Sequence, residues 1–187
     1  DYTRNSNYEV SVIAGDFIIN DNTVIVEGNL IAAGGEKVYD GTPLYATARV
    51  VGADGYTIYY KVDDGDWTTD ASSVLNVSEG KVTVHTKAVK AGYDDLLGND
   101  VTIQITPRSV ILTSATDSKP YDETPLTNHQ VTVSGDGFIE NEGADYTVTG
   151  SQTEIGSSNN TFTYELYANT NASNYNITVK EGILTVT

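Results

Sequence analysis

The chain has no cysteine and no methionine, one tryptophan, four prolines, two histidines and ten lysines and arginines among its 187 residues. Without a thiol there is no cysteine nucleophile, no disulfide staple and no thiolate metal site. The missing cysteine does not fix a compartment, because disulfides are an option in oxidising places and not a requirement. Ten basic residues face 26 acidic ones, a net charge of -16. The basic residues never cluster, which argues against nucleic acid and anionic membrane surfaces as partners, since phosphate contacts need grouped Lys and Arg. No apolar run approaches the roughly 18 residues of a membrane span. The first residues carry no charged-then-apolar export signal, a pattern that fits a mature or excised fragment as well as a cytosolic protein.

Catalytic chemistry is short of parts. His85 and His129 have no partners in a recognisable constellation, and neither a nucleophile elbow nor a phosphate-binding loop occurs. Paired carboxylates could serve a glycosidase, yet acidic side chains are so plentiful that no pair stands out. The expectation is a protein that is not an enzyme and needs no cofactor.

What is present is alternation with a period of two. "NTFTYELYA" places Phe162, Tyr164 and Leu166 on one face and Thr161, Thr163 and Glu165 on the other, as a half-buried antiparallel strand requires. "YTIYYKV" does the same with Ile58, Tyr60 and Val62, and "KVTVHTKAV", "HQVTVSG" and "DYTVTG" follow suit. No apolar spacing of three and four persists, so no substantial helix is expected. Turn clusters separate the runs: an Asp-Gly hairpin signal at Asp64 and Gly65, then "SGDGF", "NEGAD", "IGSSNN" and "KEG". Many short strands with such punctuation predict an all-β sandwich.

One phrase occurs twice. "KVYDGTPL" from Lys37 and "KPYDETPL" from Lys119 agree at six of eight positions and start 82 residues apart, too far for a solenoid repeat of roughly 20–50 residues. Each copy is therefore expected to carry its own core. "SNYEVSVIAGDFII" from Ser6 also resembles "SNYNITVKEGILTV" from Ser173. The predicted organisation is 1–20 as the closing hairpin of a preceding repeat or as strands added to the first module, 21–106 as a first β module, and 107–187 as a second. Pro107 joins the last strand of one to the first of the next, a short, stiff link. Within the phrase, Tyr39 and Tyr121 are expected inward, Asp40 and Asp122 to accept bonds from following backbone groups, Pro43 and Pro125 to fix the chain, and Leu44 and Leu126 to return it to the core. Because Glu123 stands where Gly41 does, a positive backbone angle is not expected to be obligatory there.

"VYDGTPL", "PYDETPLTN" and the closing "NYNITVKEGILTVT" resemble MBG modules, the tandem repeats of cell-wall-anchored surface proteins and adhesins of Gram-positive bacteria. The resemblance covers nearly the whole chain in pieces and is strongest over 107–187. It implies tandem immunoglobulin-like β-sandwich modules arranged end to end, with β-grasp-like modules as the alternative. It also implies an extracellular place on a bacterial cell surface, in a parent protein anchored to the cell wall. The function implied is a non-catalytic stalk or spacer, with direct binding of mucin, a host glycoprotein or a glycan as the alternative; neighbouring repeats are the other expected partners.

Two local sites remain. Asp63, Asp64 and Asp66 in "VDDGDW" could offer hard oxygen ligands to calcium, as could Glu140, Glu142 and Asp145 in "ENEGAD". Neither matches the twelve-residue loop with its closing glutamate, and the bland reading is a solvated acidic turn. Tyr56, Tyr59 and Trp67 flank the Asp-Gly turn and are the candidates for stacking on a sugar ring, against the commoner role of aromatics in cross-strand packing.

Overall fold

A computed structural model describes residues 9–13, 16–20 and 28–187, the first two ranges as strands only. The described chain is nearly all β, with two 3₁₀ turns of three residues at Val77–Glu79 and Ala172–Asn174. Strands β1 (Glu9–Ile13) and β2 (Asp16–Asn20) pair antiparallel with one another. The rest of the predicted 1–20 unit, and the start of the first module at 21–27, lie outside the described residues.

The first half contains β3 (Asn29–Ala33), β4 (Gly35–Val38), β5 (Leu44–Tyr45), β6 (Thr47–Val51), β7 (Thr57–Val62), β8 (Ser73–Val74), β9 (Val82–Val89), β10 (Leu96–Leu97) and β11 (Val101–Thr106). Strand β9 is its centre, antiparallel to β7, β10 and β11, while β4 runs parallel to β11 with Lys37 opposite Ile105. Strands β3 and β6 form one further antiparallel pair, β5 and β8 another. The second half contains β12 (Arg108–Ser114), β13 (Asp117–Lys119), β14 (Val131–Gly135), β15 (Ala144–Val148), β16 (Gly156–Asn160), β17 (Phe162–Leu166), β18 (Tyr175–Lys180) and β19 (Gly182–Val186). There β12 lies between antiparallel β14 and parallel β18, β19 lies between parallel β13 and antiparallel β16, and β15 pairs with β17. Among the described strands, none pairs across the two halves.

The period-two pattern sets the core. Val110, Leu112 and Ser114 of β12, Ile103 and Ile105 of β11, and Leu184 and Val186 of β19 are buried at alternate positions, as a pleated strand with one apolar face dictates. A single buried cluster runs from Tyr39, Val84, Ile103 and Ile105 in the first half to Val110, Leu112, Phe162 and Tyr175 in the second. Pro107 is the whole connection between β11 and β12.

Five expectations need correction. "IGSSNN" is not a turn cluster: Gly156–Asn160 is strand β16, laddered antiparallel to β19, and its fully buried Asn160 donates to the carbonyls of Ala115 and Asn128, so a polar, turn-rich composition here still serves a strand. "KEG" is not a turn: β18 and β19 run parallel to the successive strands β12 and β13, so the chain passes Glu181 without reversing. The stretch from Ser173 is therefore two successive strands and not a hairpin, because β18 and β19 ladder to β12 and β13 and not to each other. The Asp64-Gly65 turn is tight, Gly65 N donating to Val62 O at 2.8 Å, but it leads only to an isolated bridge between Tyr60 and Thr68, and β7 takes β9 as its ladder partner. Glu123 adopts φ 63° and Gly41 φ 79°, so the left-handed angle is kept in both copies despite the change of residue. Tyr39 is 5% exposed and Tyr121 43%, so only the first of the two tyrosines is buried.

Candidate functional site

The duplicated phrase folds into the same clamp twice. Lys37 Nζ donates to Asp40 Oδ1 (2.7 Å) and Thr42 Oγ1 (2.6 Å), and Asp40 Oδ1 also accepts from Thr42 N (2.9 Å) and Thr42 Oγ1 (2.8 Å). Lys119, Asp122 and Thr124 repeat these bonds at 2.5, 2.6, 3.0 and 2.7 Å. Each clamp follows the parallel pairing of the phrase with the half's last strand: Tyr39 N donates to Thr106 O and Tyr121 N to Thr187 O, both at 2.9 Å. The Lys37 ammonium, then the Thr42 hydroxyl and amide, pull the Asp40 carboxyl down to about 2. Lys119 and Thr124 hold Asp122 well below the usual carboxylate range in the same way. Both lysines are committed to exposed ion pairs with the aspartate three residues on. These are turn locks, and the left-handed residue between Asp and Thr is held by bonds on both sides.

The first clamp faces the second half across a seam. Tyr39 Oη donates to Glu142 Oε1 (2.8 Å) and Tyr175 Oη to Glu142 Oε2 (2.6 Å), so one carboxylate joins two phenols from opposite halves. The two rings meet edge to face at 5.6 Å, and Phe138 packs against Tyr175 at 5.0 Å, geometries that aromatic quadrupoles favour. Asn174, fully buried, accepts from Val77 N (3.0 Å) and donates to Asn76 Oδ1 (2.9 Å). Arg108 Nε and Nη2 donate to the carbonyls of Gly137 (2.7 Å) and Asp136 (2.6 Å), with Nη1 3.5 Å from Tyr39 O. Gly41 lies so close that a Cβ would stand 2.7 Å from Ile139 Cδ1. Burial raises the phenol pKa of Tyr39 above 10.0, with Glu142 adding to it. The same causes push Tyr175 further up.

The sequence-predicted aromatic residues separate into two places. Tyr59 and Trp67 gather around Lys87, whose Nζ is 5.8 Å from the Tyr59 ring and 5.1 Å from the Trp67 ring, and Lys61 Nζ lies 5.7 Å from the Trp67 ring. This follows from register: Tyr59 is opposite Lys87 on β9, and Lys61 is opposite His85. Trp67 keeps 39% of its surface exposed. Tyr56 stands apart, edge to face with Tyr93 at 6.4 Å and with Lys90 over both rings. Asp63, Asp64 and Asp66 do not converge, and Asp63 Oδ1 accepts from Thr83 N at 3.2 Å. Glu142 of the other acidic cluster is taken up by the two tyrosines. Among the described residues, no group of three or more His, Asp or Glu could hold a metal ion. His85 Nδ1 is paired with Asp100 Oδ1 at 2.6 Å on the surface.

Sequence reasoning did not find the seam. In the sequence Glu142 is legible as a calcium candidate with Glu140 and Asp145, Asn174 as part of a closing motif and Arg108 as part of the join. The signal was weak because the loop 139–143 that brings Glu142 has no counterpart in the first half, where Tyr56 runs straight into β7. Comparison with known proteins matches no family model and no curated protein. The geometry of the seam and of the aromatic platform therefore carries the functional reading.

Proposed function

We propose that the chain is a non-catalytic spacer: two immunoglobulin-like β modules, 21–106 and 107–187, set in series in the stalk of a bacterial cell-surface protein of the MBG type. The observation that carries this reading is Glu142, which bonds Tyr39 and Tyr175 at once and, with Asn174 and Arg108, turns the one-residue join into a buried contact. A spacer must transmit orientation, and a seam with satisfied buried polar groups resists bending because each opened bond leaves a desolvated partner. The β-grasp alternative lacks support, since no helix longer than one short turn occurs among the described residues. The charge of -16 would keep neighbouring stalks apart on a crowded cell surface.

A second reading is favoured by one specific observation, the platform on which the exposed Trp67 meets the half-buried Tyr59 and Lys87, whose Nζ also lies 3.4 Å from Asp95 Oδ2. An aromatic face beside a cation suits an acidic sugar of a mucin-type glycan, with the ring stacked on Trp67 and the carboxylate beside Lys87. Titration of the full chain against mucin and a sialylated glycan panel separates the two. A spacer gives no saturable binding in either arm. Saturable binding that disappears in Trp67→Ala would replace the spacer reading with an adhesive one.

A further inference from the structure

In the second half the first and last strands run side by side in the same direction. Residues 108–113 are in parallel register with 175–180, and residues 117–119 with 184–186. Between these two ladders the backbones come too close for a third, since a Cβ on Gly182 would lie 2.3 Å from Ala115 O. Two hydroxyls bridge the gap instead: Ser114 Oγ accepts from Gly182 N (2.9 Å) and Thr116 Oγ1 from Ile183 N (3.1 Å). Beyond the second ladder Thr187 N donates to Lys119 O (3.0 Å) and Tyr121 N to Thr187 O (2.9 Å), where the Lys119, Asp122 and Thr124 clamp fixes the turn. The line of bonds thus runs from Arg108 to Tyr121, with side chains completing it where the ladder stops.

Going beyond the stiffness that a spacer needs, we infer that the second half is a tension-bearing unit in which these strands act as one clasp. Tension along the chain enters at Pro107, pulling β12 toward its N-terminal end, and leaves through Thr187, pulling β19 toward its C-terminal end. Because the strands are parallel, the two pulls slide one past the other along the ladder and load its evenly spaced bonds together. An antiparallel pair such as β15 and β17, with Ala144 opposite Leu166, has its outer ends side by side, and the same tension would peel it one residue pair at a time. That pair lies within residues 122–174, inside the clasp, and carries no tension until the clasp parts. Resistance to pulling is set by the barrier to unfolding, and the clasp places that barrier at the strands that receive the load. The first half repeats the pattern over a shorter stretch among the described residues, 35–38 running parallel to 103–106 with Tyr39 N donating to Thr106 O.

Single-molecule force measurements on the full chain test this, and the absence of native cysteine lets introduced pairs set the direction of pull. Ser109→Cys with Thr187→Cys loads the clasp along its length. Ser109→Cys with Ser173→Cys pulls on the N-terminal ends of β12 and β18 and opens the clasp from one end. All three positions are exposed, and urea midpoints matching the parent show that each pair folds. The expected unfolding force is at least about twice as high in the first direction as in the second, since bonds loaded together share one barrier. Thr116→Val, an exposed change that removes one hydroxyl bridge, should speed unfolding at constant force about fivefold in the first direction, the rate equivalent of one net hydrogen bond. The second direction should not change. Equal forces in the two directions overturn the proposal. So does a Thr116→Val chain that unfolds at the parent rate in the first direction, because the two ladders would then act separately. Neither outcome bears on whether the halves tumble together, so the spacer reading stands or falls on its own measurement.

Discussion

At the scale of single residues, the clamp shows what a repeated phrase conserves in geometry. Lys, Asp and Thr hold one turn through the same four bonds in both copies. Both clamps lie at the surface, where such ion pairs contribute little to stability, so their role is to fix the turn. The Asp40 carboxyl, held at about 2 by Lys37 first and Thr42 second, reports the clamp directly. Its folded value lies below its unfolded one, so the clamp's contribution is present above the unfolded value of 3.8 and is lost as pH falls through about 2. A carbon-detected carboxyl titration should give a midpoint near 2 for Asp40, moving toward 3.8 in Lys37→Ala. An unchanged midpoint in that variant would mean that Thr42 alone holds the carboxylate. The same scale explains Gly41: Gly41→Glu copies the second clamp's residue into the seam, where the Cβ meets Ile139. The expected cost is about 1–3 kcal/mol of overpacking, measured as a lower urea midpoint. The reverse change, Glu123→Gly at the exposed end, should leave the midpoint the same or raise it by relieving the left-handed angle.

Strands are the scale at which the sequence was most legible, and the limits of that legibility are physical. Alternation located β7, β9, β14, β15 and β17, because a half-buried strand writes its two faces in the residues themselves. It did not give partners. The match between Ser6–Ile19 and Ser173–Val186 suggests one common hairpin, yet β1 pairs with β2 while β18 and β19 continue past each other. Pairing depends on which neighbour is in reach, which a local pattern does not encode. Tyr121 was misplaced for a similar reason: the phrase predicts a buried tyrosine, but burial needs a covering surface, and only Tyr39 has one. Glycines mark where strands cross too closely for a side chain. A Cβ on Gly182 would lie 2.3 Å from Ala115 O, and one on Gly34 2.2 Å from Thr102 O. The close approach between first and last strands is thus kept in both halves, with the glycine supplied by opposite partners. Ser114 braces it, donating to Asn160 O (2.6 Å) and accepting from Gly182 N (2.9 Å). Gly182→Ala should destabilise the chain by about 3 kcal/mol or more through overpacking, and a denaturant melt within experimental error of the parent would refute that account.

At the scale of the whole molecule, the two halves share no strand pairing among the described residues, yet they share a buried cluster and a hydrogen-bond chain through Glu142 and Asn174. Tyr39 and Tyr175 carry folded pKa values above the ordinary 10.0, so their contribution is complete below pH 10 and is lost as pH rises through the raised values. Tyrosinate absorbance should therefore show phenols that ionise late, and Glu142→Gln should bring them down, since the neighbouring carboxylate is one of the causes. Loss of Asn174 should cost about 1–3 kcal/mol, because Asn174→Ala leaves the Val77 amide without its acceptor. The most direct measurement of the central claim is backbone nitrogen relaxation of the full chain, comparing residues of 28–106 with those of 108–187. A stiff seam predicts one rotational correlation time and one diffusion tensor for both halves in the parent, separating into two in Glu142→Ala combined with Asn174→Ala. Two independent correlation times in the parent would contradict the account, because halves that tumble freely about Pro107 cannot hold anything at a fixed distance and orientation.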